Sequence, residues 1–411
     1  MKRTGFSQLS EDVMQNIFSR LPASAFSSAA CVSKCWNIVC RRILTKPKFA
    51  SALSLKPTLP DAAKEVLDKV LSEPIVPHFA IACIGNEFSL PATHELLTQK
   101  LGSRVPLITH TASGIIGADV TNNLQEVRWK SIDDDEDDDD SDSNGDSLLD
   151  RGIVLVIGFV PGLKVDAIPL LRTMTVPQIY LDGNFLMDIK DFTASFSDSE
   201  SPAGIILFGV SCDSSTYTDR NIDMRLIMAR MVYIGVVQHR QYPCGPGSFI
   251  SRASLAFYEV LGAERHFLIV NGVGIKSGDP FLFYHSDSDT ASSSCSGAYS
   301  DLATLKEESG LSCLPLRNGA PSSGEKEVFG GLIFSSYLRG ETSNLNVESS
   351  PFHENFPEVP LAGVFCNGEI GRGSSSSISQ EDDQANYARC CLHYHSTIYL
   401  VLSYTPPTSE H

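Results

Sequence analysis

Eight short apolar runs, each four to eight residues long, constrain the fold of this 411-residue chain more than any other feature. They lie at 79–84, 153–160, 205–210, 232–237, 267–270, 331–334, 362–365 and 398–402. Runs of that length, rich in aliphatic and β-branched residues, read as buried strands. Helical spacing of apolar residues alternates with them at 61–71, 91–101, 165–174 and 251–261. Strand and helix in alternation predict an α/β or α+β body with mixed sheets, multidomain α+β over the whole chain. About 350 residues of such material exceed what one core usually organises, so the body is expected to divide near residue 245. There Tyr242-Pro243-Cys244-Gly245-Pro246-Gly247 punctuates the chain.

Four stretches lack aliphatic spacing and are expected to be solvated loops: 133–147, 285–299, 319–326 and 371–384. The first carries much of the charge. The net charge is −17, and ten acidic residues with no basic one fall between Asp133 and Asp146. That balance argues against a nucleic-acid partner. The most apolar stretch, 153–160, is far short of the ~20 residues that span a bilayer, and the N-terminus has no signal-peptide core, so no membrane partner is expected. Eleven scattered cysteines with no Cys-x-x-Cys pair read as reduced thiols rather than a disulfide scaffold or zinc ribbon. The expected location is cytoplasm and/or nucleus, with no cofactor and no metal.

The first fifty residues read differently, with no strand-like run between 7 and 44. Ser10 is a good N-cap, and Glu11 and Asp12 complement the helix dipole in the first turn. Val13, Ile17 and Leu21 recur every four residues with Met14 and Phe18 beside them, and Leu21-Pro22 closes that helix. A short second helix runs from Ala23 to Cys31. A third carries Val32, Trp36, Val39 and Ile43 on one face, with Lys34, Arg41 and Arg42 pointing away. Three small helices bury little alone. Two readings follow: a cap packed on the body, or a docking module whose apolar face is completed by a partner.

Leu9-x-Glu11-Asp12-Val13-Met14-x-x-Ile17-Phe18-x-x-Leu21-Pro22, then Ala30-Cys31-Val32-Ser33-Lys34-x-Trp36, closely resembles the F-box. The family usually opens with Leu-Pro where this chain has Leu9-Ser10. The resemblance implies binding to the Skp-type adaptor of SCF ubiquitin ligases, and through it to the cullin scaffold. It assigns adaptor contact to Leu9, Val13, Ile17, Leu21, Pro22, Val32 and Trp36.

Two further stretches resemble the paired FIST domains, which are associated with small-ligand sensing. One is Val105 to Ile115, containing His110, Ser113 and Gly114; here His110 and Ala112 replace residues common in the family. The other is Pro360 to Gly371, with Gly368, Glu369 and Gly371 in a glycine-rich turn. Ile333 to Arg339 and Leu392 to Thr397 fit neighbouring strands of the C-terminal half. The layout implied is a small all-α three-helix F-box at 1–52 and two mixed α/β FIST-like domains at 60–245 and 246–405. The acidic insert 133–147 falls in the first domain, and the Ser-rich loops 285–299 and 371–384 fall in the second. Candidate ligand residues are His110, Ser113, Gly114, Gly368, Glu369, Gly371 and His393. Glu369 has two readings, a ligand contact or a cap for its own loop. Cys391, His393 and His395 alternate onto one side, but the resemblance accounts for them as a strand rather than a metal site.

Other motifs fail on spacing. Asp140-x-Asp142-x-Asn144-Gly145 opens like a calcium loop but has Arg151 where a bidentate Glu is required. Asn271-Gly272-Val273-Gly274 lacks the third glycine of a dinucleotide fingerprint. No Gly-x-Ser-x-Gly elbow or phosphate loop occurs. The expectation is a non-catalytic receptor that docks on the adaptor and captures an unidentified protein for ubiquitination and proteasomal degradation. The alternative is a small-ligand sensor whose F-box regulates its turnover. A third reading, an enzyme acting on a small amine or acid, lacks a nucleophile–base pair.

Overall fold

The protein was analysed as a computed structural model, which describes residues 9–129, 150–163, 165, 167, 206, 231–245, 248–264, 267–271, 275–286, 288–308, 311–312, 326–337, 339, 347–366, 369–372, 390–393 and 396–406. Residues 1–165 and 214–411 make up one compact unit, and 166–213 a second, of which only Ala167 and Ile206 are described. The architecture is mixed α/β, with several sheets and a helical N-terminus.

Three helices come first: α1 (Glu11–Phe18), α2 (Ala23–Val32) and α3 (Lys34–Ile43). The Ser10 hydroxyl accepts from Val13 N–H at 3.4 Å, as the sequence suggests, and Ser33 accepts from Trp36 N–H at 3.2 Å, so two orphan helix donors are capped. Met14, Phe18, Phe26, Ala29, Val39 and Cys40 form their shared core. One expectation is corrected here. Val32 does not join the Trp36/Val39/Ile43 face, because it is the last residue of α2, and the extended backbone at Ser33 turns it outward.

Next come β1 (Lys48–Ser54), α4 (Leu59–Val70), β2 (Phe79–Ile84), α5 (Leu90–Leu101), β3 (Leu107–Thr111), β4 (Gly114–Ala118), β5 (Leu124–Arg128) and β6 (Ile153–Phe159). The Thr58 hydroxyl caps α4 and Pro60 sits in its first turn, where a missing N–H costs nothing. Ala62, Ala63, Val66, Leu67 and Val70 then fall on one face. They pack on a sheet of order β1-β6-β2-β3 through Ala52, Ala80, Ala82, Ile84, Ile153, Leu155 and Ile157. Strand β6 is buried along its whole length, which explains its unbroken apolar run.

Later elements are β7 (Met231–Gly245), β8 (Ser248–Glu264), β9 (Phe267–Asn271), β10 (Phe281–Ser286), α6 (Ser288–Glu308) and β11 (Leu311–Ser312). They are followed by β12 (Lys326–Ser336), α7 (Ser350–Asn355), β13 (Leu361–Cys366), β14 (Glu369–Arg372), β15 (Cys390–His393) and β16 (Thr397–Tyr404). The second sheet runs β11-β12-β13-β4-β5, with β16 antiparallel on β12. It packs against the first sheet so closely that a Cβ on Gly117 of β4 would lie 3.1 Å from Val154 and 3.4 Å from Leu53. Strands from both sides of residue 245 thus share one sheet, and 242–245 with 248 lie at the β7–β8 turn. A third, antiparallel sheet runs β10-β7-β8-β9, and β14 pairs with β15 alone.

Three further expectations are corrected. The helical reading of 251–261 fails: this stretch is β8, where Tyr258 and Val260 alternate onto the same small core as Ile234, Val236 and Val270. The pairing of fifteen-residue β7 with seventeen-residue β8 overrides local helix preference. The loop reading of 285–299 also fails. His285 and Ser286 close β10, and α6 begins at Ser288, its Ser and Thr hydroxyls bonding back to carbonyls four residues earlier (Ser300 to Ser296, Thr304 to Ser300). Leu302 anchors α6 against Phe352 and Phe356. Gly371 and Arg372 belong to β14 rather than to a loop. The expectations at 133–147, 165–174, 205–210, 319–325 and 373–384 lie essentially outside the described residues.

Candidate functional site

Building α1 to α3 around Phe18 leaves their other side apolar and wet. Phe18 and Trp36 rings meet at 4.9 Å between centroids, tilted by 56°, and draw α1 onto α3. With Met14 and Phe18 turned inward, Val13 and Ile17, one turn apart, must face out, and they are 44% and 38% exposed. Leu9 at 36% and Val32 at 63% extend this surface, and Pro22 is exposed as well. Leu21 and Trp36 instead are half-buried against the helical core. The seven candidate residues therefore divide into five that reach solvent and two that support them. Ile38, 52% exposed on α3, was not singled out by sequence spacing, because its neighbour Val39 takes the inward position. An exposed Arg42–Glu11 ion pair ties α3 to α1. Each buried aliphatic side chain contributes about 1.5–3 kcal/mol, so leaving several in water forgoes a gain that a partner could supply.

The second candidate group divides in two. His110 lies on β3 opposite Cys83 of β2, and burial lowers its basicity. Burial, with the nearby Cys366 thiol adding to it, pushes Cys83 up to about 12. Ser113 acts through its backbone: its N–H donates to Phe365 O at 3.2 Å and its O accepts from Trp129 N–H at 3.0 Å. Gly114 is required by close approach, since a Cβ there would fall 2.4 Å from Val127 O. These three residues form the corner where the chain crosses from the first sheet to the second. Glu369 and Gly371 lie on β14, opposite His393 and Cys391 of β15. Gly368 and His395 lie outside the described residues.

The sequence gives no warning of a buried polar cluster beside that corner. Arg339 Nε donates to Glu348 Oε1 at 2.8 Å, with both side chains buried. Arg339 also donates to Ser294 Oγ at 2.9 Å and Cys295 Sγ at 3.4 Å. Thr397 Oγ1 donates to the second Glu348 oxygen, and Tyr399 O–H donates to Glu348 O at 2.7 Å. Glu126 accepts from Ser349 N–H and Oγ–H at 2.7 and 2.6 Å. Burial opposes the charge on Arg339, but the Glu348 carboxylate outweighs it and holds the guanidinium charged. Burial raises the Glu126 carboxyl, the Ser349 hydrogen bonds oppose that shift, and the Glu348 charge adds to it. The cluster binds β5, α6, the α7 N-terminus and β16 into one network. Satisfied buried polar networks of this kind rigidify the elements that contribute to them.

Among the described residues no group of three or more His, Cys, Asp or Glu side chains is placed to hold a metal, and no helix is long and apolar enough to cross a membrane. The F-box domain profile matches residues 6–47. An F-box/LRR-repeat protein of Arabidopsis thaliana is 30% identical to this chain over an alignment covering 97% of the chain and 93% of the relative. The matched segment contains α1 to α3 and the whole exposed apolar face.

Proposed function

This chain belongs to the F-box protein family, and from that premise we propose that it is the substrate-recognition subunit of an SCF ubiquitin ligase. The observation that carries the reading is the exposed apolar face within residues 6–47. Leu9, Val13, Ile17, Pro22 and Val32 contact a Skp-type adaptor directly, while Leu21 and Trp36 hold the helices that present them. The adaptor links the chain to the cullin scaffold. The body, with FIST-like halves at 60–245 and 246–405 that share the second sheet, captures a protein for ubiquitination and proteasomal degradation, in cytoplasm or nucleus. Transfer chemistry comes from other subunits, and this chain contributes proximity. Co-elution of the full chain with a purified Skp-type adaptor tests the reading. Two separate peaks at micromolar concentrations of both would overturn it. Comparing proteins captured from cells with and without proteasome inhibition then identifies the substrate.

One observation favours the second reading, a small-ligand sensor. The indole N–H of Trp129, which is buried and bonded through its backbone to Ser113, has no hydrogen-bond partner among the described residues. A buried donor left unmade costs about 1–3 kcal/mol, which an acceptor on a bound molecule would recover. Thermal stabilisation of the chain across a panel of amino acids and metabolites tests it. A flat response across the panel counts against a ligand.

A further inference from the structure

The adaptor-docking helices share their packing with the body. Ala23, the first residue of α2, is buried in the core of the first sheet with Ala62, Ala63, Val66 and Leu67. Its N–H donates to Leu71 O, at the C-terminal cap of α4, at 2.9 Å. Leu44, just after α3, packs against both the helical core and the sheet core. Lys46 Nζ lies 3.1 Å from Glu327 Oε1 on β12 and 6.0 Å from the Tyr404 ring centroid on β16, while the Tyr404 hydroxyl donates to the same carboxylate. Burial pushes the Tyr404 phenol up, and its bond to Glu327 adds to the shift. Strand β1 then begins at Lys48, whose Nζ donates to Pro74 O at 2.7 Å. A hinge needs exposed backbone with few crossing contacts. This joint instead has a buried alanine, a backbone hydrogen bond, a shared leucine and an ion pair, all contributed by 23 and 44–48.

We infer that α1 to α3 and the two-sheet body open and close as one cooperative unit. Adaptor bound at the N-terminal face then acts as a folding ligand for the entire receptor and holds the body at a fixed orientation. The adaptor half of this inference rests on the function proposed above. Its consequence is regulatory: a receptor without adaptor populates globally open states more often, and its captured substrate site opens with it.

Hydrogen exchange on the full chain tests it, alone and with purified Skp-type adaptor at about 100 times its dissociation constant. The amides of β6, buried in the core of the first sheet, exchange through global opening. Ligand at that excess multiplies their protection by about 100-fold, in step with the amides of α2 and α3. A gain confined to α1–α3, with β6 unchanged, overturns the inference. An adaptor-free arm separates this outcome from failure of the functional reading. Ala23→Asp places a carboxylate in the shared core and should accelerate exchange in β6 and α3 together. Acceleration in α3 alone overturns the inference whether or not an adaptor binds. Where Ala23→Asp does not yield folded protein, Ala23→Val, a milder overpacking of the same contact, gives the same comparison.

Discussion

Glu348→Ala tests whether the buried cluster holds the second sheet and its helices together. The Glu348 carboxylate is buried, takes the Arg339 Nε hydrogen bond at 2.8 Å, and accepts from Thr397. Its removal leaves a buried guanidinium without that carboxylate, while the Ser294 and Cys295 contacts compensate poorly. Breaking one side of a buried pair costs roughly 3–5 kcal/mol. Glu126 is close enough to Glu348 to feel its charge and offsets part of the loss, so the expected cost is about 3 kcal/mol, near the lower bound. Glu348→Gln keeps an acceptor but not the charge and should lose about 1.5–3 kcal/mol. Arg339→Met combined with Glu348→Leu removes both charges and should recover most of the loss, since apolar replacements of buried pairs are often neutral. Urea unfolding monitored by the fluorescence of Trp36 and Trp129 in each variant reads these differences as midpoint shifts at constant slope. A Glu348→Ala cost below about 1 kcal/mol, or a double variant worse than both single ones, would refute the reasoning.

The same cluster predicts a pH dependence. Because the folded Glu126 carboxyl is raised, chiefly by burial, the folded state binds the proton more tightly than the unfolded state. That stabilisation is fully present below the unfolded value and is lost as pH rises through the folded one. Glu126→Gln, which keeps an acceptor for Ser349, should therefore match or exceed the parent's stability at neutral pH. The advantage should shrink as pH falls toward the ordinary Glu value; an advantage that grows on acidification contradicts the assignment. Native-state alkylation should label Cys31 and Cys35, which are exposed, well before buried Cys40 and Cys83. Burial also raises Cys40 and pushes Cys83 up to about 12, so both lack thiolate at neutral pH. Mass spectrometry of timed digests would show the order, and early Cys83 labelling would contradict the packing.

Where local chemistry and tertiary packing agree, the sequence is legible. Thr58 and Pro60 start α4, the 62/63/66/67/70 spacing chooses its buried face, and the unbroken 153–159 run marks a strand covered on both sides. The F-box helices are legible for the same reason, down to the Ser10 cap, whereas the Ser33 cap shows only in the structure. Ser251–Leu261 misleads because Ala, Leu and Glu favour helix locally, whereas the long β7–β8 ladder decides the conformation. The Ser-rich start of α6 misleads in the opposite direction, since only its packing on Phe352 and Phe356 gives the helix a reason to form. The Arg339–Glu348 cluster is invisible to spacing because 126, 294, 339, 348 and 397 meet only after the second sheet and its helices are assembled. The candidate ligand residues fall on the 110–114 corner and on the β14–β15 pair, whose strand partners no local pattern specifies.

Affinity for a Skp-type adaptor, measured by titration on the full chain, is the most direct test of the central claim. The informative variant is Val13→Asp with Ile17→Asp, because both side chains face solvent and neither belongs to the helical core. Losing two aliphatic anchors of about 1.5–3 kcal/mol each predicts an affinity loss of at least about 10²-fold, with the thermal midpoint unchanged. The same charge placed at Val120, exposed on the β4–β5 turn outside α1 to α3, should leave adaptor affinity as it was. Unchanged affinity in the Val13/Ile17 variant, in protein that remains folded, would contradict the account.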